Sequence, residues 1–213
     1  LSLNDVFANI QLLLRRKDYW IISFSTLVRY GVFAAFQALW AGPYLMEVMG
    51  YSAITTGNLI LLLNVGMILG SPCWGALSDR LLKTRKWIVI AGLISIALTI
   101  IVLMSIPDSI HLAVLIVIFF SFGFFNASGL LMYPHIKEMM APEMAGVAMT
   151  GINFFTMIGP AVFLQALGLF MQAWFPAASL GAAAFDAAFV VCAASLLIAA
   201  ILYGFTRDTG NGA

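Results

Sequence analysis

The chain has 213 residues, 63% of them hydrophobic and 9% charged, with mean hydropathy +1.04 and a formal net charge of +1. Soluble domains carry roughly 25% charged residues and under half apolar ones, so a water-soluble fold is excluded. A disordered chain and a nucleic-acid partner fall with it, because both need far more polar or basic sequence. A membrane-spanning helix takes roughly 20 apolar residues, and this length holds about six of them with short connections.

Residues 3–14 place Leu3, Val6, Phe7, Ile10, Leu13 and Leu14 on one helical face, followed by Arg15, Arg16 and Lys17. That stripe is too short to span and predicts a helix lying on the membrane surface. Residues 1–17 are therefore read as a cytoplasmic linker carrying this helix, 18–206 as a transmembrane domain, and 207–213 as a tail. Six apolar segments follow the linker, at 18–48, 53–78, 86–106, 111–134, 144–172 and 184–206. The breaks are Gly50-Tyr51-Ser52, the charged run Asp79 to Lys86, Pro107-Asp108-Ser109, His135 to Glu143, and Phe175 to Leu180. Backbone in hydrocarbon must satisfy its own hydrogen bonds, and the runs are continuous rather than alternating, so each segment is predicted to be a helix, not a barrel strand. Pro72, Pro134 and Pro160 are expected to kink or break theirs. Gly66 and Gly70 have the spacing that lets two helices approach closely. The cysteines, Cys73 and Cys192, sit inside apolar runs and form no disulfide framework. The chain opens at Leu1 without a signal-peptide pattern and is read as a piece of a longer protein.

Nine of the ten basic residues fall on one side of a six-helix topology. Arg15, Arg16 and Lys17 precede the first span, and Arg80, Lys83, Arg85 and Lys86 lie between the second and third. Lys137 lies between the fourth and fifth, and Arg207 follows the sixth. The positive-inside rule makes that side cytoplasmic, with both termini inside and an inner cell membrane of bacterial type as the expected location. Trp20, Trp74 and Trp87 at inner ends, and Trp40 and Trp174 at outer ends, fit interfacial belts.

The tenth basic residue is Arg29, within the first span. At about 1.5 Å per residue it lies roughly 13 Å above Trp20, near the midplane, and Asn64, Asn126 and Asn153 come out at similar depth on the second, fourth and fifth spans. Phe33, Phe36 and Trp40 share the Arg29 face, with Tyr30 and Gln37 beside it; Phe119, Phe122 and Tyr133 share the Asn126 face. Polar groups at this depth usually face a bundle interior or a water-filled cavity. The candidate substrate site is accordingly Arg29, Tyr30, Phe33, Gln37, Asn64, Asn126 and Asn153. The first, second, fourth and fifth spans line it, with the third and sixth outside. Asn58 and Gln165 lie off these faces and suit plain helix–helix bonding. No acid in the sequence sits at the depth of Arg29, which leaves three partners open: an anionic substrate, an acid from another part of the protein, or backbone carbonyls.

Enzyme chemistry finds no footing. His111 and His135 lie at helix ends, no two aspartates face each other within the membrane, and no Walker loop is present. The triplet Asn126-Ala127-Ser128 has the form of a glycosylation acceptor but lies inside a span. No cofactor and no metal are implied.

The run Gly75-Ala76-Leu77-Ser78-Asp79-Arg80-Leu81-Leu82-Lys83-Thr84-Arg85-Lys86 resembles the G-x-L-(S/A)-D-R-x-G-(R/K)-(R/K) loop of the major facilitator superfamily. Leu82 replaces the family glycine, which suits the looser copy of that loop in the second half of such proteins. Pro142-Glu143-Met144-Ala145-Gly146, followed by Asn153, resembles the start of the family's eleventh helix, though Ala145 stands where Arg is common. The surface helix resembles the linker between halves.

The resemblance covers nearly the whole chain as helices seven to twelve. It implies half of a twelve-helix fold built from two inverted three-helix repeats, about 18–106 and 111–206. It also implies secondary transport by alternating access, and a cytoplasmic gate carrying Gly75, Asp79, Arg80, Lys83 and Arg85. The expected partners are a small, anionic solute, organic or phosphorylated; the lipid bilayer; and an N-terminal six-helix half or a second copy of this chain. A non-transporting receptor of the same fold, or a homodimeric half-transporter, stands as the alternative.

Overall fold

In the computed structural model the described residues are 3–106, 110–175 and 182–209, without the side chains of residues 3–7 and 39–40. Leu3, Val6, Phe7 and Trp40 as face-forming side chains, and the break at residues 107–109, thus lie outside the described set. The chain is all-helical, with no strand among the described residues, and six of its helices are long and apolar enough to cross a membrane.

Helix α1 is Leu3–Leu14. Helix α2 begins at Lys17–Ala35 and runs on through a π-helical stretch, Phe36–Trp40, then Ala41–Pro43 and a second π stretch, Tyr44–Val48. A π turn widens the helix by one residue, and here it precedes Pro43, whose ring blocks the regular bond to the preceding turn. Gly50, at φ 72, ends this span in the left-handed region. Helix α3 is Ala53–Ala76, capped by the Ser52 hydroxyl accepting from Thr55 N at 3.2 Å, and continues as a π turn over Leu77–Leu82. Helix α4 is Lys86–Ser105. Helix α5 is Leu112–Asn126, tightens to a 3-10 turn at Ala127–Leu131, and resumes as Met132–Glu138. Helix α6, Pro142–Trp174, starts with proline at its first turn and Glu143 beside it, both favoured at a helix N-terminus. Helix α7 is Ala182–Tyr203.

Two boundaries differ from the sequence reading. The second span does not end at residue 78: it continues through Asp79 and Arg80 to Leu82, so the gate motif's acid and base ride on the last helical turn rather than in a loop. Hydropathy stops where charge begins, but the backbone stays helical until Lys83 turns left-handed at φ 46. The fourth span does not end at Pro134 either. Pro134 falls just after the 3-10 turn, in the resumed segment Met132–Glu138, where the backbone has already left the regular i to i−4 ladder. Pro72 and Pro160 likewise sit inside continuous helices.

The spans pack in pairs: α2 on α6, α3 on α5, and α4 on α7, with α7 also against α2 and α4 also against α5. Glycine permits the first two contacts. A Cβ at Gly66 would fall on the Phe120 carbonyl oxygen and one at Gly123 on that of Leu63; a Cβ at Gly159 would fall on the Leu27 carbonyl. Between these pairs lies an aromatic core. Phe36 stacks on Phe122 at 4.5 Å between centroids and meets Phe119 and Phe189 at 5.7 Å, while Tyr44 meets Phe189 at 5.3 Å.

Candidate functional site

The midspan polar residues fall into three groups. The first centres on Arg29. The Asn126 carbonyl, at the start of the 3-10 turn of α5, accepts from Arg29 Nη1 at 3.0 Å. Gly129 makes room: a Cβ there would overlap the Arg29 side chain. The guanidinium carbon lies 5.4 Å from the Tyr30 ring centroid. Arg29 is only 1% exposed, and both its Nε and the Asn126 side-chain oxygen are buried without a hydrogen-bond partner. No acidic side chain pairs with Arg29 among the described residues.

The second group joins α2 to α3: Gln37 Nε2 donates to Asn64 Oδ1 at 3.4 Å, and Asn64 Nδ2 to the Ile60 carbonyl at 3.5 Å. The third joins α5 to α6: the Tyr133 hydroxyl donates to Asn153 Oδ1 at 3.0 Å and lies 2.8 Å from the Thr156 hydroxyl. Gln37, Asn64 and Tyr133 are half-buried and Asn153 is exposed, so these two groups reach the surface of the chain. Phe33 does not: it is buried, stacked on Phe122 at 6.2 Å, and belongs to the aromatic core. Tyr30 is half-buried, its ring 6.2 Å from that of Phe33.

A second polar region spans the basic end of the bundle. Arg85, between α3 and α4, ties three helices together. Its guanidinium donates to Glu138 on α5, with Nη2 to Oε1 at 2.8 Å, to the Ser78 hydroxyl at 2.8 Å, and to Asp79 on the last turn of α3. The hydrogen bond to Glu138 first, and that to Asp79 after it, hold Arg85 protonated more firmly than usual against the opposing effect of burial. Asp208, beyond α7, caps α4. Its Oδ1 accepts from the backbone N–H of Arg85 at 3.1 Å and Lys86 at 3.2 Å, and its other oxygen bonds the Thr84 hydroxyl. Arg207 pairs with Asp18 at the start of α2 at 3.1 Å, and Thr209 donates to Glu138 at 2.7 Å. His135 is fully buried between the Tyr203 hydroxyl and the Arg207 carbonyl.

Of the gate residues read from the motif, Asp79 and Arg85 join this network. Arg80 and Lys83 are exposed at the end of α3, and a Cβ at Gly75 would meet open space. Sequence reading missed Asp18, Ser78, Thr84, His135, Glu138, Tyr203 and Asp208. A signal existed: Asp18, Asp79, Glu138 and Asp208 all abut span ends on the side holding the basic residues. Counting only Lys and Arg for orientation passes over it.

Six transmembrane helices with a motif-bearing charged network at one end narrow the family, and comparison decides it. The family model of the Major Facilitator Superfamily matches residues 22–212. The chain belongs to that superfamily. It is therefore a membrane protein of a class that transports small molecules rather than catalysing their conversion. No curated protein matches the chain at a significant level.

Proposed function

We propose that this major facilitator chain forms the C-terminal half of a secondary transporter for a small organic or phosphorylated anion, working by alternating access. The observation that carries the anionic class is Arg29. A guanidinium is charged at any accessible pH and presents five donors in a planar fork. Here it is sealed near the middle of the bundle with one backbone carbonyl as its hydrogen-bond acceptor and an unpartnered Nε. Burying such a group without an opposing charge is costly, and an anion reaching it from the Gln37–Asn64 or Tyr133–Asn153 side would supply that charge bidentately.

The half-transporter reading draws support from exposure. Helices α3 and α6 bury the least of their surface within the chain, and they carry Asn58, Asn64, Asn153 and Gln165. A second six-helix unit against them would cover those amides. With the basic end placed in the cytoplasm, the Asp79–Arg85–Glu138 network sits where a cytoplasmic gate would close.

Ligand affinity of the purified full-length protein tests the site, with candidate organic and phosphate anions as probes. Arg29→Gln is expected to abolish anion binding, and Arg29→Lys to weaken it by about tenfold or more, since a point charge does not replace the fork. Both variants should still reach the membrane. Wild-type affinity in Arg29→Gln would make the residue a structural staple of the α5 turn and remove the support for an anionic solute.

A further inference from the structure

We propose that the segment following α7, Gly204–Thr209, is a clasp across the basic end of the bundle, and that His135 is the latch through which acidification opens it. The clasp is read from its bonds. Within three consecutive residues the chain pairs Arg207 with Asp18 of α2, caps α4 through Asp208, and bonds Glu138 of α5 through Thr209. The first, third and fourth spans are thereby held to the end of the sixth. Thr206, inside the segment, is only 3% exposed.

His135 is set at its centre in one protonation state. Its Nε2 lies 2.8 Å from the Arg207 carbonyl oxygen, an acceptor only, so Nε2 carries the hydrogen and donates. Its Nδ1 lies 2.7 Å from the Tyr203 hydroxyl and, in the neutral ring, accepts from it. Both rings are fully buried, so the neutral imidazole is satisfied on both nitrogens and Tyr203 has spent its one hydrogen.

A proton added at Nδ1 turns that acceptor into a donor facing a donor. The Tyr203 hydrogen must then turn away inside a packed site, where an unmatched hydroxyl costs free energy. The new cation also faces Asp18 of α2, Glu138 of its own helix, and Arg207 and Asp208 of the clasp. Each of the three carboxylates is already engaged: Asp18 by Arg207, Glu138 by Arg85 and Thr209, Asp208 by the first amides of α4. An imidazolium that draws any of them nearer takes it from a bond that closes the clasp. Both routes loosen the same segment.

The test uses thiol accessibility in the intact protein, with Cys73 and Cys192 replaced by Ala. Thr206→Cys reports the shielded side of the clasp, and Leu82→Cys, 55% exposed and outside the network, corrects for the reagent's own pH dependence. From about pH 8 to about pH 5.5 the corrected labelling rate at position 206 should rise about tenfold, the change in protonation ratio over one pH unit, as the histidine range is crossed. Adding His135→Gln, which keeps a donor near the Nε2 position and does not titrate, should flatten the profile. Should that variant fail to fold, Tyr203→Phe serves instead: it removes the hydroxyl whose clash with a protonated Nδ1 drives one of the two routes, and the rise at position 206 should be smaller. A flat profile in the His135 protein, an equal rise in His135→Gln, or an undiminished rise in Tyr203→Phe would overturn the proposal.

Discussion

Lys83 holds a backbone conformation that suits glycine. At φ 46 and ψ 47 it closes the π turn at the end of α3, and it is the non-glycine residue with positive φ among those described. The left-handed region costs a residue with a Cβ roughly 1–2 kcal/mol, while glycine there gives back part of that gain through a freer unfolded chain. The lysine side chain is exposed. Lys83→Gly is therefore expected to stabilise the protein by about 1 kcal/mol, seen as a higher thermal midpoint in detergent. A lower midpoint would show that the lysine makes a contact worth more than its strain. The family resemblance puts the missing glycine at Leu82; the structure puts the turn one residue later, which periodicity does not reveal. Depth arithmetic along the helices brought Arg29 and Asn126 to one level, and they are neighbours. It left Phe33 on the same face, where the structure packs it into the core. Facing is set by how neighbouring helices close on the span, and a single helix's periodicity does not contain that.

At the scale of the helix, the two close-packed pairs give one chemical change two opposite expected signs. Gly123 of α5 lies against the backbone of α3, and a Cβ there would fall on the Leu63 carbonyl oxygen, with the Leu63 Cα only 2.9 Å away. Backbone cannot swing aside as a side chain can, so Gly123→Ala should force α3 and α5 apart and cost about 2–3 kcal/mol. Gly146 of α6 is exposed, and a Cβ there meets nothing within 4 Å. Gly146→Ala should instead stabilise by about 0.5–1 kcal/mol through helix propensity. Thermal midpoints of both variants against the parent check the pair, and equal shifts would mean the α3–α5 contact is not a backbone contact. The glycine spacing at Gly66 and Gly70 marked α3 as a close-packing helix. Its partner was not legible, because Gly123 and Gly129 on α5 are six residues apart and do not repeat that spacing. The helices themselves were legible from apolar runs, whereas their ends were not, because charge at a membrane boundary ends a hydropathy segment without ending a helix.

At the scale of the whole chain, the packing of the spans carries a symmetry. Replacing each span by the one three places further along exchanges the α2–α6 contact with that of α5 and α3, exchanges α2–α7 with α5–α4, and returns α4–α7 to itself. That is the neighbour pattern of two three-helix repeats related by a two-fold axis in the membrane plane, and the sequence shows no trace of it, since packing partners can be kept while side chains diverge. An inverted repeat fixes the topology: three spans is an odd number, so the second repeat enters from the side opposite the first. The start of α2, the end of α7 and the α3–α4 and α5–α6 connections then share one side, and the nine basic residues other than Arg29 lie at that end. By the positive-inside rule we propose that this side faces the cytoplasm. Single cysteines in the Cys73→Ala, Cys192→Ala background test the assignment in intact cells. Lys137→Cys and His111→Cys are both at exposed positions, one at each end of the bundle. A membrane-impermeant maleimide is expected to label position 111 and to reach position 137 only after the membrane is opened. The reverse pattern would invert the bundle, place the Asp79–Arg85–Glu138 network outside, and remove it as a cytoplasmic gate.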